Sequence, residues 1–151
     1  MLFFQSDLEK LKERITEIQK KKREVGKEVG EACEQGAETF HDNAPFDMAM
    51  HSLEIIKTQL MPLLAMYRGA RIIMPPTNTN QVEIGHTVTF LDLDTEIAET
   101  YRIGSYWVDG DNDTSYISPI ASILLGSRVG DKKEGKVAGR VRKIRIEKIE
   151  F

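Results

Sequence analysis

At 151 residues, 40% hydrophobic and 30% charged, the chain can bury one ordinary core or two small ones. A single cysteine, Cys33, excludes an internal disulfide framework and fits a reducing compartment, and a net charge of −3 argues against indiscriminate binding to nucleic acid. No apolar run approaches a membrane span, and Met1–Phe4, followed at once by Gln5, Ser6 and Asp7, is too short for a signal sequence, so a cytoplasmic protein is expected.

The first periodic segment runs Leu8, Leu11, Ile15, Ile18, Lys22, Val25, Val29, Ala32, in alternating steps of three and four with only Lys22 polar. A second runs Phe46, Ala49, Leu53, Ile56, Leu60, Leu63, Tyr67, Ala70 in the same steps. Two helices, each apolar along one narrow stripe and joined by a short connection, satisfy each other as an antiparallel coiled-coil hairpin. At about 1.5 Å per residue such an arm reaches about 40 Å. The competing arrangement is a bundle inside a larger core, but the remaining faces are rich in Lys, Glu and Arg and offer no second stripe. Gly26 and Gly30 each cost a helix about 1 kcal/mol relative to Ala, less than the seam returns. Pro62 removes a backbone hydrogen bond, and a bend is expected there and not a terminus, since Leu63, Tyr67 and Ala70 keep the register. The bases of the first helix, Lys10 to Lys27, are interspersed with Glu9, Glu13, Glu17, Glu24 and Glu28, which reads as a solvated face with intrahelical pairs or as a contact to RNA or DNA.

The connection contains Glu38, Thr39, His41, Asp42, Asn43 and Pro45. Near the start of a helix Asp42 and Asp47 favour the dipole, Asn43 suits a cap and Pro45 suits the first turn. The same acids at the end of an arm also suit metal chemistry, and His41 reads as a solvated loop residue or a metal neighbour. His51 and His86 have no partner evident in sequence.

Pro75, Pro76, Thr77, Asn78, Thr79 and Asn80 end the helical pattern, dividing the chain into 1–74, a linker 75–80 and a domain 81–151. In that domain 86–93 and 98–103 read as strands and 109–113 as a polar turn. The alternate Asp residues of the turn resemble the opening of a calcium loop, but the flanking helices and downstream Glu are missing. Ser118, Pro119 and the apolar run to Gly126 form a short helix with cap, first-turn proline and terminal glycine. The last stretch is strand: Ile144 and Ile146 alternate with charges, then Ile149 and Phe151 resume one residue out of phase, which predicts a β-bulge. Residues 83–113 carry eight acids and one Arg, whereas 128–151 carry nine bases and four acids, so pairing within one sheet would neutralise both. The whole reads as α+β, a helical hairpin followed by antiparallel strands around one short helix.

Several of these segments carry a resemblance. Ser118-Pro119-Ile120-Ala121, Leu124-Leu125-Gly126 and Val129-Gly130-Asp131 resemble the C-terminal signature of the bacterial Gre transcript cleavage factors. Gly85 to Asp94, followed by Thr100-Tyr101-Arg102-Ile103, is similar to their preceding β-hairpin, and Glu31-Ala32, Gly36 and Asn43-Ala44 match around the tip. The resemblance implies an FKBP-like β domain that binds RNA polymerase, with Ser118, Pro119, Ile120, Ala121 and Gly126 at the contact, and a coiled coil inserted through the secondary channel toward the nascent RNA 3′ end. It implies a monomeric cofactor, not an enzyme: two tip acids hold Mg²⁺ shared with the polymerase, which then hydrolyses backtracked RNA.

The tip departs from the family pattern of Gly, an aspartate, two residues, a glutamate and Asn-Ala. Here the stretch after Gly36 is two residues longer, Asp42 falls on the family glutamate, and Thr39 falls on the family aspartate with Glu38 beside it. Glu38 and Asp42 are therefore the candidate catalytic and Mg²⁺-binding pair. A non-cleaving regulator of the same channel is the alternative, and prolyl isomerisation is a third idea resting on fold analogy alone, since Phe90, Tyr101 and Trp107 equally suit a core.

Overall fold

The computed structural model describes residues 1–36 and 44–151. Two compact units emerge, one formed by Glu9–Gly69 and the other by Met1–Leu8 with Ala70–Phe151.

The first unit is the helical hairpin. Helix α1 spans Gln5–Gly36 and α2 spans Ala44–Arg68. The seam residues Leu11, Ile15, Ile18, Val25 and Ala32 of α1 are buried, as are Ala49, Ile56 and Leu60 of α2, whereas Lys22 is exposed. Gln19, Lys22 and Arg23 share a hollow with Leu60 and Leu64, the neighbours expected when the helices run antiparallel. Each buried Leu, Ile or Val stabilises the pair by about 1.5–3 kcal/mol, enough to outweigh both glycines. Helix α2 continues through Pro62, as the unbroken register requires. Pro62 is exposed, and it leaves the carbonyl of Thr58 without its usual backbone donor.

The second unit is a sheet with one short helix. Its strands are β1 (Leu2–Phe3), β2 (Arg71–Ile72), β3 (Thr87–Asp92), β4 (Ala98–Gly104), β5 (Asp113–Ser115), β6 (Lys132–Val137) and β7 (Arg140–Glu150), with α3 (Pro119–Leu124) before β6. The main sheet has the order β5-β4-β3-β7-β6. Three of its pairings are antiparallel and β4 with β5 is parallel, a connection carried by the 105–112 loop and held by Arg102 bonded to Asp113. Val88, Phe90, Ile103, Ile144, Ile146 and Ile149 form the core with Ile120, Ala121 and Leu124 of α3.

The expected bulge lies in β7: Lys148 opposes Thr89 but Ile146 opposes Phe90, leaving Glu147 as the extra residue. That single insertion lets Ile146 and Ile149, three apart, both face the core. The N-terminal residues are part of this unit, because β1 pairs in parallel with β2 and the backbone N–H of Tyr106 donates to Leu2 O at 2.9 Å. Phe3 is fully buried.

Candidate functional site

The sequence assigns the expected chemistry to two regions, the tip and the α3 helix. Glu38 and Asp42, with Thr39, His41 and the proposed cap Asn43, lie outside the described residues. On the described side, α2 opens with Ala44 and Pro45 and carries Asp47 in its first turn, where the proline's fixed φ and the negative charge both favour a helix start. Among the described residues no cluster of three or more His, Cys, Asp or Glu is arranged to hold a metal ion, the Asp109–Asp113 turn included.

Helix α3 is built as its sequence requires. Ser118 is the cap: its Oγ accepts the N–H of Ala121 at 3.1 Å and shares a hydrogen bond with Thr114 Oγ1 at 2.7 Å. Pro119 takes the first helical position, where no N–H is needed. Gly126 turns the chain away at φ 75° and its N–H donates to Val82 O at 2.9 Å, while Val82 N–H donates to Ser127 O at 2.8 Å. The five residues assigned to a partner contact divide by orientation. Ile120 and Ala121 are buried in the core and Ser118 is half-buried, whereas Pro119 and Gly126 are exposed, together with the neighbouring Ser122. The buried and the exposed residues thus fall on opposite sides of one short helix.

Beneath α3 runs a shallow groove against β6, lined by Pro119, Ser122, Ile123, Leu125, Lys133 and Gly135 among others. Gly135 makes it possible: a Cβ there would come within 2.6 Å of Ile123 Cγ1.

Of the bases in 128–151, Arg142 is the one that pairs, among the described residues, with acids of 83–113. Arg142 of β7 donates to Asp92 of β3 at 2.7 Å and to both Glu99 carboxylate oxygens on β4, and its guanidinium lies 5.7 Å from the centre of the Phe90 ring. Its hydrogen bond holds the buried Asp92 carboxyl below the usual carboxylate range against the opposing effect of burial, with help from the N–H groups of Thr95 and Asp94. Glu99 in turn accepts from Tyr101 Oη at 3.1 Å and raises the phenol's pKa.

Arg102 makes a second network. It forks onto Asp113 with both bonds at 2.8 Å and reaches Asp7 at 3.0 Å, and the Asp113 bond is the largest influence raising its pKa. Asp7 also accepts from Ser105 Oγ at 2.5 Å, and Ser105 Oγ accepts Phe4 N–H at 2.8 Å. His86, without an evident partner in sequence, is fully buried. Its Nδ1 accepts Glu83 N–H at 3.0 Å, and Phe151 packs edge-on to the ring.

A family model described as "Transcription elongation factor, GreA/GreB, C-term" matches residues 76–151. A transcription elongation factor GreA of Nautilia profundicola is 33% identical over 129 residues, covering 83% of this chain and 78% of that protein. A GreA of Staphylococcus carnosus is 33% identical over 131 residues, covering 85% and 81%. Among solved structures, the GreA factor homolog 1 (Gfh1) protein of Thermus thermophilus aligns over 100% of this chain and 99% of its own at 19% identity and a TM-score of 0.46.

Proposed function

The chain belongs to the GreA/GreB transcription elongation factor family, and from that membership we infer that it binds RNA polymerase and inserts its hairpin tip through the secondary channel to stimulate cleavage of backtracked RNA. One observation supports this reading above the others: the family's C-terminal domain and a long two-helix hairpin occur in the same chain. The polymerase contact is assigned to the outward side of α3, through Pro119 and Gly126, because Ile120 and Ala121 are committed to the core. At the tip, Glu38 and Asp42 are the acids that would hold Mg²⁺ jointly with the polymerase. Bound there, the ion would lower the pKa of an attacking water beside the RNA phosphate. The tip would thereby rescue arrested complexes while the factor alone carries out no hydrolysis.

A second reading has its own support in Thr39, which stands where the family has an aspartate, and in the two extra tip residues. It makes the chain a non-cleaving regulator that occupies the same channel. Both readings are tested on a stalled, backtracked elongation complex with Mg²⁺, comparing the natural chain with Glu38→Ala/Asp42→Ala. Release of a 3′ RNA fragment that the double variant abolishes supports the cleavage factor. Absence of release with slowed nucleotide addition supports the regulator, and absence of polymerase binding defeats both.

A further inference from the structure

Residues 132–145 hold seven bases, Lys132, Lys133, Lys136, Arg140, Arg142, Lys143 and Arg145, against the single acid Glu134. Arg142 is occupied by Asp92 and Glu99, and Arg145 by Glu147 at 2.6 Å. The other five are exposed and, among the described residues, form no ion pair, in contrast to Arg102, which is bracketed by two carboxylates in the same unit. The register even sets Lys132 directly opposite Arg145, a like-charge pair that weakens a sheet.

The geometry concentrates this charge. Strand β7 pairs with β3 from Ile144 onward, with one further bond from Leu93 N–H to Lys143 O at 2.7 Å. From Arg140 to Arg142 its only strand partner among the described residues is β6, so the hairpin continues past the sheet as a two-stranded ribbon. It closes on Ala138 and Gly139, whose φ values of 49° and 83° make the tight turn that a two-residue hairpin needs.

We propose that this ribbon docks duplex DNA through its phosphates, without reading sequence. The inference goes beyond the polymerase and cleavage reading and does not depend on it. Three properties select the partner. No aromatic residue lies within 132–145 to stack an unpaired base, which disfavours single-stranded nucleic acid. The exposed surface is mainly Lys and Arg, with Val141 its main apolar side chain; Lys is depleted at protein interfaces, which disfavours a protein partner. A two-stranded ribbon fits the major groove of B-form DNA, about 12 Å wide, and not the deep, narrow one of duplex RNA.

The test is fluorescence anisotropy of a labelled mixed-sequence DNA duplex titrated with the full chain across a salt series. Neutralising five phosphates gives a slope of log K against log salt of about −4.5. The variant Lys133→Glu/Lys136→Glu/Arg140→Glu is expected to lose about tenfold or more in affinity and to flatten that slope. Its glutamine counterpart, which matches glutamate in size without reversing the charge, is expected to lose less while melting at the natural temperature. Lys20→Glu/Lys21→Glu on α1 is expected to leave affinity unchanged. The proposal is overturned by no binding at low salt, by loss confined to the α1 variant or equal in both, by a ribbon variant that loses affinity only in proportion to lost fold, or by tighter binding to single-stranded or duplex RNA.

Discussion

Arg142 occupies a position where one side chain holds together three strands: its own, β3 through Asp92 and β4 through Glu99. Replacing it with Ala leaves a buried carboxylate without its partner, and a loss of about 3 kcal/mol is expected in urea unfolding, the lower end for a buried pair because Arg142 is partly exposed. Because the folded Asp92 pKa lies below its unfolded value of about 3.9, the pair contributes fully at neutral pH and fades as pH falls below about 4 toward the lower folded value. The natural chain should therefore lose stability more steeply through that acid window than Arg142→Ala, as a pH series of melting curves would reveal. Gly135 poses the opposite problem, one of space. Gly135→Ala is expected to cost about 1–3 kcal/mol by driving a methyl into Ile123, and Gly135→Ala/Ile123→Ala should recover part of that loss in a double-mutant cycle. Nothing local to Gly135 in the sequence signals its role, because the reason lies across the groove on α3.

At the scale of elements, periodicity carried most of the information. The heptad steps placed both helices, and the buried seam coincides with the apolar positions. Ser118-Pro119 and Gly126 marked α3 from its cap to its exit, since each performs a backbone task that few residues can. The one-residue phase change between Ile146 and Ile149 forecast the bulge at Glu147 for the same reason: a strand has only two faces. The parallel pairing of β5 was not legible, because three residues, Asp113–Ser115, carry no pattern beyond turn chemistry. On α1, a Cβ at Gly26 or Gly30 would meet nothing within 4 Å. Gly26→Ala/Gly30→Ala should therefore stabilise the hairpin by about 1 kcal/mol per site, visible as slowed amide exchange across the neighbouring turns.

At the scale of the whole molecule, the long-range bonds decide what the chain order conceals. Asp7 and Arg102 stand 95 residues apart, and Phe4 and Ser105 101 apart, yet each pair is joined within the β-sheet unit. No periodicity marks such pairs, so from sequence residues 1–8 fall within the 1–74 segment, whereas they belong to the β-sheet unit. Removing residues 1–4 should lower the stability of the β-sheet unit by about 3–5 kcal/mol, combining the buried Phe3 ring with lost hydrogen bonds, while a melt of the helical hairpin followed separately moves little. The candidate site was legible to the same uneven degree: the short helix, its cap and its exit came from sequence, but which of its residues are buried and which stay exposed required packing to be seen.

The order of strands has a consequence for synthesis. β7 follows β3, β4, β5 and β6 in sequence but lies inside the sheet, between β3 and β6. While a ribosome still holds that segment, β3 has β4 but lacks its other neighbour, and Val88 and Phe90 lack the isoleucines that complete their cover. The helical hairpin, whose contacts are contiguous in sequence, is free to form during this interval. The two helices can thus pair while the sheet is still open, and the sheet closes only once β7 has cleared the exit tunnel.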